Sequence, residues 1–274
     1  MVLNKYRAAA DRWLLPLARR LSGVEPDTLS WLAFSCAVPA GALLWLASEV
    51  SYHLLLLASV LLFLNALLDA LDGWVARLAG KASPRGDFLD HVLDRYADVF
   101  IVGGIALSAY CGLGIGLLAL LGVMLTSYMG TQAQALGLAR NYGGVLGRAD
   151  RLLLLVIAPV AQWVWQLVTG RPELLTVDAW GPHGVTVMEV LMVWFAVGGH
   201  ATAIWRASAS WRELTEQMPQ SRGPTAEGPR NQRKGDGAPG AAEGAAERAR
   251  NDAAGAGEGG MAMTDGQGGA PPPR

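Results

Sequence analysis

Asp69, Asp72, Asp90 and Asp94 are the residues whose type and spacing could do chemistry. Asp69 and Asp72 stand at i,i+3 and Asp90 and Asp94 at i,i+4, so each pair shares one face of a helix. Between the pairs, Lys81-Ala82-Ser83-Pro84-Arg85 supplies a break, because Pro84 disfavours helical continuation. A turn at Ser83 leaves Asp72 and Asp94 equally far from it along the chain, hence at similar height on two antiparallel helices. Four carboxylates can then converge in one cavity. They repel one another at close range, and each costs roughly 2.5–3.5 kcal/mol to place at the centre of a membrane helix. Hard divalent cations with oxygen ligands relieve both costs, and Mg²⁺ or Mn²⁺ suits a few carboxylates shared with substrate phosphates. Two such ions can stabilise the attacking and leaving oxygens of a phosphoryl displacement. The competing expectation is buried salt bridges from the aspartates to Arg77 and Arg95.

The elements that must position these residues are membrane helices. The chain of 274 residues is 52% hydrophobic and only 16% charged, against roughly 25% charge in a soluble domain. Its mean hydropathy is +0.28. The apolar residues fall in blocks long enough to span, since a span needs about 20 of them. Six spans are expected: 27–48, 52–80, 86–112, 114–140, 149–170 and 184–206. The second and third each have one apolar half (54–68; 99–107) and one half loaded with carboxylates. A net charge of −1 argues against a nucleic-acid partner. Cys36 and Cys111, both in apolar stretches, read as small buried hydrophobes with no redox or zinc role.

Basic residues set the orientation. They cluster in the N-terminal lead, at Lys81 and Arg85, at Arg140, Arg148 and Arg151, and at Arg206 and Arg212. The alternate loops hold Glu49, Arg171, Glu173 and Asp178. The positive-inside rule then puts both termini and the aspartates on the cytoplasmic side, which requires an even number of spans. Charges at Lys5, Arg7, Asp11, Arg12, Arg19 and Arg20 break the N-terminal stretch, so it is not expected to be a cleaved signal. Leu3, Tyr6, Trp13, Leu14 and Leu17 alternate with them at helical spacing, as in an amphipathic helix lying on the membrane. The expected architecture is all-α: a six-helix transmembrane bundle with an N-terminal interfacial helix, over residues 1–212. Residues 213–274 form a Gly/Ala/Pro-rich tail expected to be disordered. Asp87 is expected to cap the third span, Asp98 to pair with a local cation, and His91 to pack.

The stretch Asp69-x2-Asp72-Gly73-x2-Ala76-Arg77-x8-Gly86-x3-Asp90-x3-Asp94 resembles the signature of the CDP-alcohol phosphotransferases at every specified position. The resemblance covers about residues 1–212. It implies that an alcohol attacks the β-phosphate of a CDP-linked lipid, releasing CMP in phospholipid biosynthesis. It further implies that Asp69, Asp72 and Asp90 hold the metals, with Asp94 also at the metal centre and acting as general base. Gly73, Ala76 and Gly86 would admit the nucleotide close to the helices, and Arg77 would meet its pyrophosphate. A homodimer is the assembly the resemblance suggests.

The acceptor depends on a second basic group. Arg140, Arg148 and Arg151, if turned inward at the same face, form a pocket for a phosphorylated acceptor; otherwise they only satisfy topology. The Gly147-Arg148-Ala149-Asp150-Arg151 run is similar to the prokaryotic and archaeal inositol-phosphate-transferring members, although Asp150 stands where many carry glutamate. Transfer from CDP-archaeol or CDP-diacylglycerol to inositol 1-phosphate is therefore expected, with glycerol 3-phosphate as the rival acceptor. A cation transporter is the rival class. It would show repeated or broken helices in both halves, whereas the acidic residues here concentrate in one hairpin.

Overall fold

Pro26 and Pro84 each begin a helix, since proline's fixed φ suits the first turn and that turn lacks partners for its N–H groups anyway. The computed structural model describes residues 7–139, 143–176 and 184–217, with side chains from Leu14 onward. Arg140 and everything beyond Gln217 lie outside the described residues, and with them the acceptor role expected of Arg140 and the disorder expected of the tail.

Among the described residues seven helices carry the fold: α1 (Arg7–Arg20), α2 (Pro26–Leu46), α3 (Leu54–Leu78), α4 (Pro84–Leu107), α5 (Leu113–Ala135), α6 (Arg148–Thr169) and α7 (Val187–Gln217). By length and composition α2, α3, α5, α6 and α7 are able to cross a membrane, which gives five apolar helices. The 24-residue α4 matches them in length, but its first two thirds carry Arg85, Asp87, Asp90, Asp94, Arg95 and Asp98. Two short strands qualify the all-α expectation: β1 (Glu173–Leu175) pairs antiparallel with β2 (Val185–Thr186). The last span was expected from Gly184, yet the helix begins at Val187. Thr186 explains the difference, because its hydroxyl accepts the Glu189 N–H at 3.0 Å and so caps the helix. At its other end α7 runs past Arg206 to Gln217, so residues 213–217, expected to belong to the tail, are helical.

A second cap also differs from expectation. Ser83, not Asp87, caps α4, accepting the Gly86 N–H at 3.1 Å. Pro84 at the first helical position leaves Ser83 extended and free to do so. Asp87 sits in the first turn, where its charge suits the positive helix end.

In the bundle α2 packs between α3 and α4, α5 bridges α4 and α7, α6 rests on α3 and α7, and α1 lies along α3. Helices surrounded by lipid gain little from apolar burial against one another, so close backbone approach and polar contacts hold them together. A Cβ on Gly104 would overlap the backbone of Gly41, and one on Gly41 would overlap the carbonyl of Phe100, so α4 and α2 meet backbone to backbone. Gly122 and Gly199 do the same for α5 and α7, where Thr126 Oγ1 donates to the Gly199 carbonyl at 2.8 Å. Asn65 Nδ2 donates to Ala33 O at 2.9 Å and Ser59 Oγ to Val156 O at 3.0 Å, tying α3 to α2 and α6. Cys111 is buried and Cys36 half-buried, and both are free.

Gly103 and Gly104 are adjacent on α4, but a Cβ on Gly103 meets nothing within 4 Å. Gly104→Ala should therefore destabilise the detergent-solubilised protein by about 1–3 kcal/mol through overpacking. Gly103→Ala should leave thermal unfolding nearly unchanged. Equal melting shifts for the two would remove the α2–α4 contact as a determinant of stability.

Candidate metal centre

The second half of α3 and the first half of α4 form the hairpin that carries the acidic residues. Carboxylate oxygens of Asp69, Asp72 and Asp90 lie within 4.8 Å of one another. Asp72 is buried and accepts a hydrogen bond from Ser30 Oγ of α2 at 2.6 Å. Ser30 was not expected to take part. Its signal in the sequence is a hydroxyl one turn after Pro26 on a mostly apolar helix. Asp94 falls outside the 4.8 Å group and is engaged by Arg148 instead.

Arg148 is the first residue of α6. Its Nη2 donates to both Asp69 and Asp94, and its Nη1 is 4.0 Å from Asp90. Arg151, one turn later, is buried and donates to Asp98 Oδ2 at 2.9 Å. Asp98 also pairs with Arg95 at 3.1 Å, and Arg95 reaches Asp94 at 3.7 Å. Arg148 and Arg151 thus turn inward, and both are spent on carboxylates. Of the two arginines expected to compete for the aspartates, Arg95 does so, whereas Arg77 stacks 4.9 Å from the centroid of the Trp74 ring. His91 Nδ1 bonds the Asp87 carbonyl at 2.7 Å.

The segment leading into α6 is held from α7. Thr202 Oγ1 accepts the N–H groups of Val145 and Leu146, both at 3.1 Å, and Arg206 Nε donates to Gly143 O at 3.0 Å. These bonds fix the backbone from which Arg148 extends.

Beside the carboxylates lies a cavity of about 210 Å³. Asp72, Asp90, Gly73, Ala76, Arg77 and Gly86 are among the residues lining it. A Cβ on Gly73 would meet only Arg77 Nη2, at 3.9 Å, so this wall is open to a ligand. At the rim Lys81 pairs with Glu25 at 2.6 Å. The donor set suits a divalent cation: three hard carboxylates converge, and Arg148 and Arg95 do not balance the four charges of Asp69, Asp72, Asp90 and Asp94 once Asp98 shares Arg95.

Similarity to known proteins agrees with this arrangement. Residues 24–205 match the CDP-alcohol phosphatidyltransferase family. The chain is 28% identical over 214 residues to an archaetidylinositol phosphate synthase of Methanothermobacter thermautotrophicus, covering 78% of this chain and 96% of that one. It is 32% identical over 226 residues to a phosphatidylinositol phosphate synthase of Streptomyces avermitilis, covering 78% and 85%. Its fold is similar to that of the phosphatidylinositol phosphate synthase of Mycobacterium tuberculosis solved with CDP-DAG bound, with TM-score 0.56 at 23% identity over 73% and 94% of the two chains. The same enzyme solved with manganese and citrate also gives TM-score 0.56 at 23% identity, over 72% and 88%. The match over most of the helical region, together with the acidic hairpin it contains, shows that this chain is a membrane transferase belonging to the CDP-alcohol phosphatidyltransferase family.

Proposed function

We propose that the protein transfers the phospholipid moiety of CDP-archaeol or CDP-diacylglycerol to the hydroxyl of inositol 1-phosphate, releasing CMP. The observation that carries this is the convergence of Asp69, Asp72 and Asp90 beside the cavity walled by Gly73, Ala76, Arg77 and Gly86. The relatives named as inositol phosphate synthases support the choice of acceptor.

In this proposal Asp69, Asp72 and Asp90, with Asp94 adjoining, hold Mg²⁺ or Mn²⁺, in keeping with the manganese-bound fold relative. A divalent ion there supplies electrophilic stabilisation of the phosphate oxygens. Gly73, Ala76 and Gly86 let the cytidine nucleotide lie against the helix backbones, and Arg77 meets its diphosphate with charge-assisted hydrogen bonds. Asp94 takes the proton of the acceptor hydroxyl. Arg148 provides the positive charge for the acceptor phosphate, and Arg151, expected to share that task, stays on Asp98 one turn behind it. The catalytic unit is residues 1–212, acting as a homodimer.

The membrane arrangement is part of the proposal. α4 is the sixth span, its charged half shielded by α2, α3 and α6, and α1 lies in the interface. Lys81, Arg85, Arg148, Arg206 and Arg212 mark the cytoplasmic side, which supports an active site open to that compartment.

Four outcomes are expected. Purified protein given each CDP-lipid should release CMP with inositol 1-phosphate, and far less with glycerol 3-phosphate, free inositol or serine. EDTA should abolish release and Mn²⁺ or Mg²⁺ restore it; a preference for glycerol 3-phosphate would replace the acceptor. Asp94→Asn should lower kcat by about 10²–10⁴-fold, the usual contribution of a general base, with CDP-lipid binding retained. Near-normal turnover would remove Asp94 from that role. In a background lacking Cys36 and Cys111, Ala82→Cys should be labelled from the cytoplasmic side and Thr169→Cys from the opposite side. Labelling of both from one side would overturn the topology.

A further inference from the structure

Two of the three carboxylates that converge for a cation already face one guanidinium. Arg148 bonds Asp69, stands 4.0 Å from Asp90, and also bonds Asp94. A carboxylate oxygen that accepts from a guanidinium is turned toward it, and a fixed positive charge at that distance repels a divalent ion in a low-dielectric site. Arg148 and a metal therefore compete for the same oxygens.

The two inward arginines of α6 differ in their freedom to yield. Arg151 is 3% exposed and locked to Asp98, whereas the Arg148 side chain is 39% exposed. The backbone beneath Arg148 is pinned by Thr202, so withdrawal can be confined to the side chain. A withdrawn guanidinium stays beside the start of α6, so its charge remains at the site.

We propose that Arg148 is a built-in counterion that holds the aspartates together until metal displaces it, and that its release provides the positive charge for the anionic acceptor. Metal must then bind before acceptor. This rests on the metal-site assignment above and goes beyond it by making Arg148 a switch between the two ligands.

The test uses the full chain purified in detergent, stripped with EDTA and titrated with MnCl₂ by calorimetry. Arg148→Gln should bind Mn²⁺ roughly tenfold tighter than the parent, because no guanidinium has to be displaced. Arg148→Lys, which keeps the charge but loses the fork, should fall between them and keeps the test valid if the glutamine variant does not fold. Mn²⁺ should also raise the melting temperature more in the variants than in the parent. Inositol 1-phosphate, added without CDP-lipid, should bind the Mn²⁺-loaded parent and not the stripped one. Equal or weaker Mn²⁺ affinity in the variants overturns the displacement, and equal acceptor binding with and without Mn²⁺ overturns the ordered release. A parent that binds no Mn²⁺ at all overturns the metal assignment itself.

Discussion

Four carboxylates held close together among apolar helices set the terms for the rest of the structure. Their mutual repulsion and desolvation must be offset from outside the hairpin that carries them. α2 contributes the Ser30 hydroxyl to Asp72, and α6 contributes Arg148 to Asp69 and Asp94. One turn deeper, Asp98 binds Arg151 of α6 and pairs with Arg95 of its own helix. Compensation is thus built in layers that tie α2 once and α6 twice to the α3–α4 hairpin.

α7 shows how far this organisation reaches. Its Thr202 and Arg206 hold the segment that launches Arg148. α7 is itself seated on α5 by the approach of Gly199 to Gly122 and the Thr126 hydrogen bond. The glycine contacts, which look like packing detail, therefore fix where a catalytic-side charge can be delivered. Small residues suit that task because backbones can meet only where side chains are absent.

The carboxylates were legible in the sequence because helical spacing is a local property: i,i+3 and i,i+4 aspartates share a face whatever surrounds them. Five of the expected spans were legible for the same reason. Less local features were not. Ser30 and Arg148 reach Asp72 and Asp69 from distant helices, and no periodicity announces those pairings. Asp87 looked like a cap because it is acidic near a helix start, but Pro84 assigned that position to Ser83. The β1–β2 hairpin went unseen because its strands are only three and two residues long and β2 leads straight into the apolar run of α7. Thr186, which ends it by capping α7, was part of a presumed span.

Arg148 and Arg151 show why composition alone could not separate topology from chemistry. Both satisfy the positive-inside rule equally, and both turn inward. Their partners and their exposure differ: the buried Arg151 pairs with Asp98, which lies outside the converging group, while the more exposed Arg148 pairs with Asp69 within it. A charge committed to Asp98 stabilises the fold and remains where it is. In the exchange proposed for Arg148, a charge committed to the converging carboxylates stabilises the protein only while the metal is away, so its contribution to stability and its use at the acceptor are mutually exclusive. The helix that brings both arginines to the site therefore separates the two tasks by one turn, with the structural charge buried and the exchangeable one near the mouth.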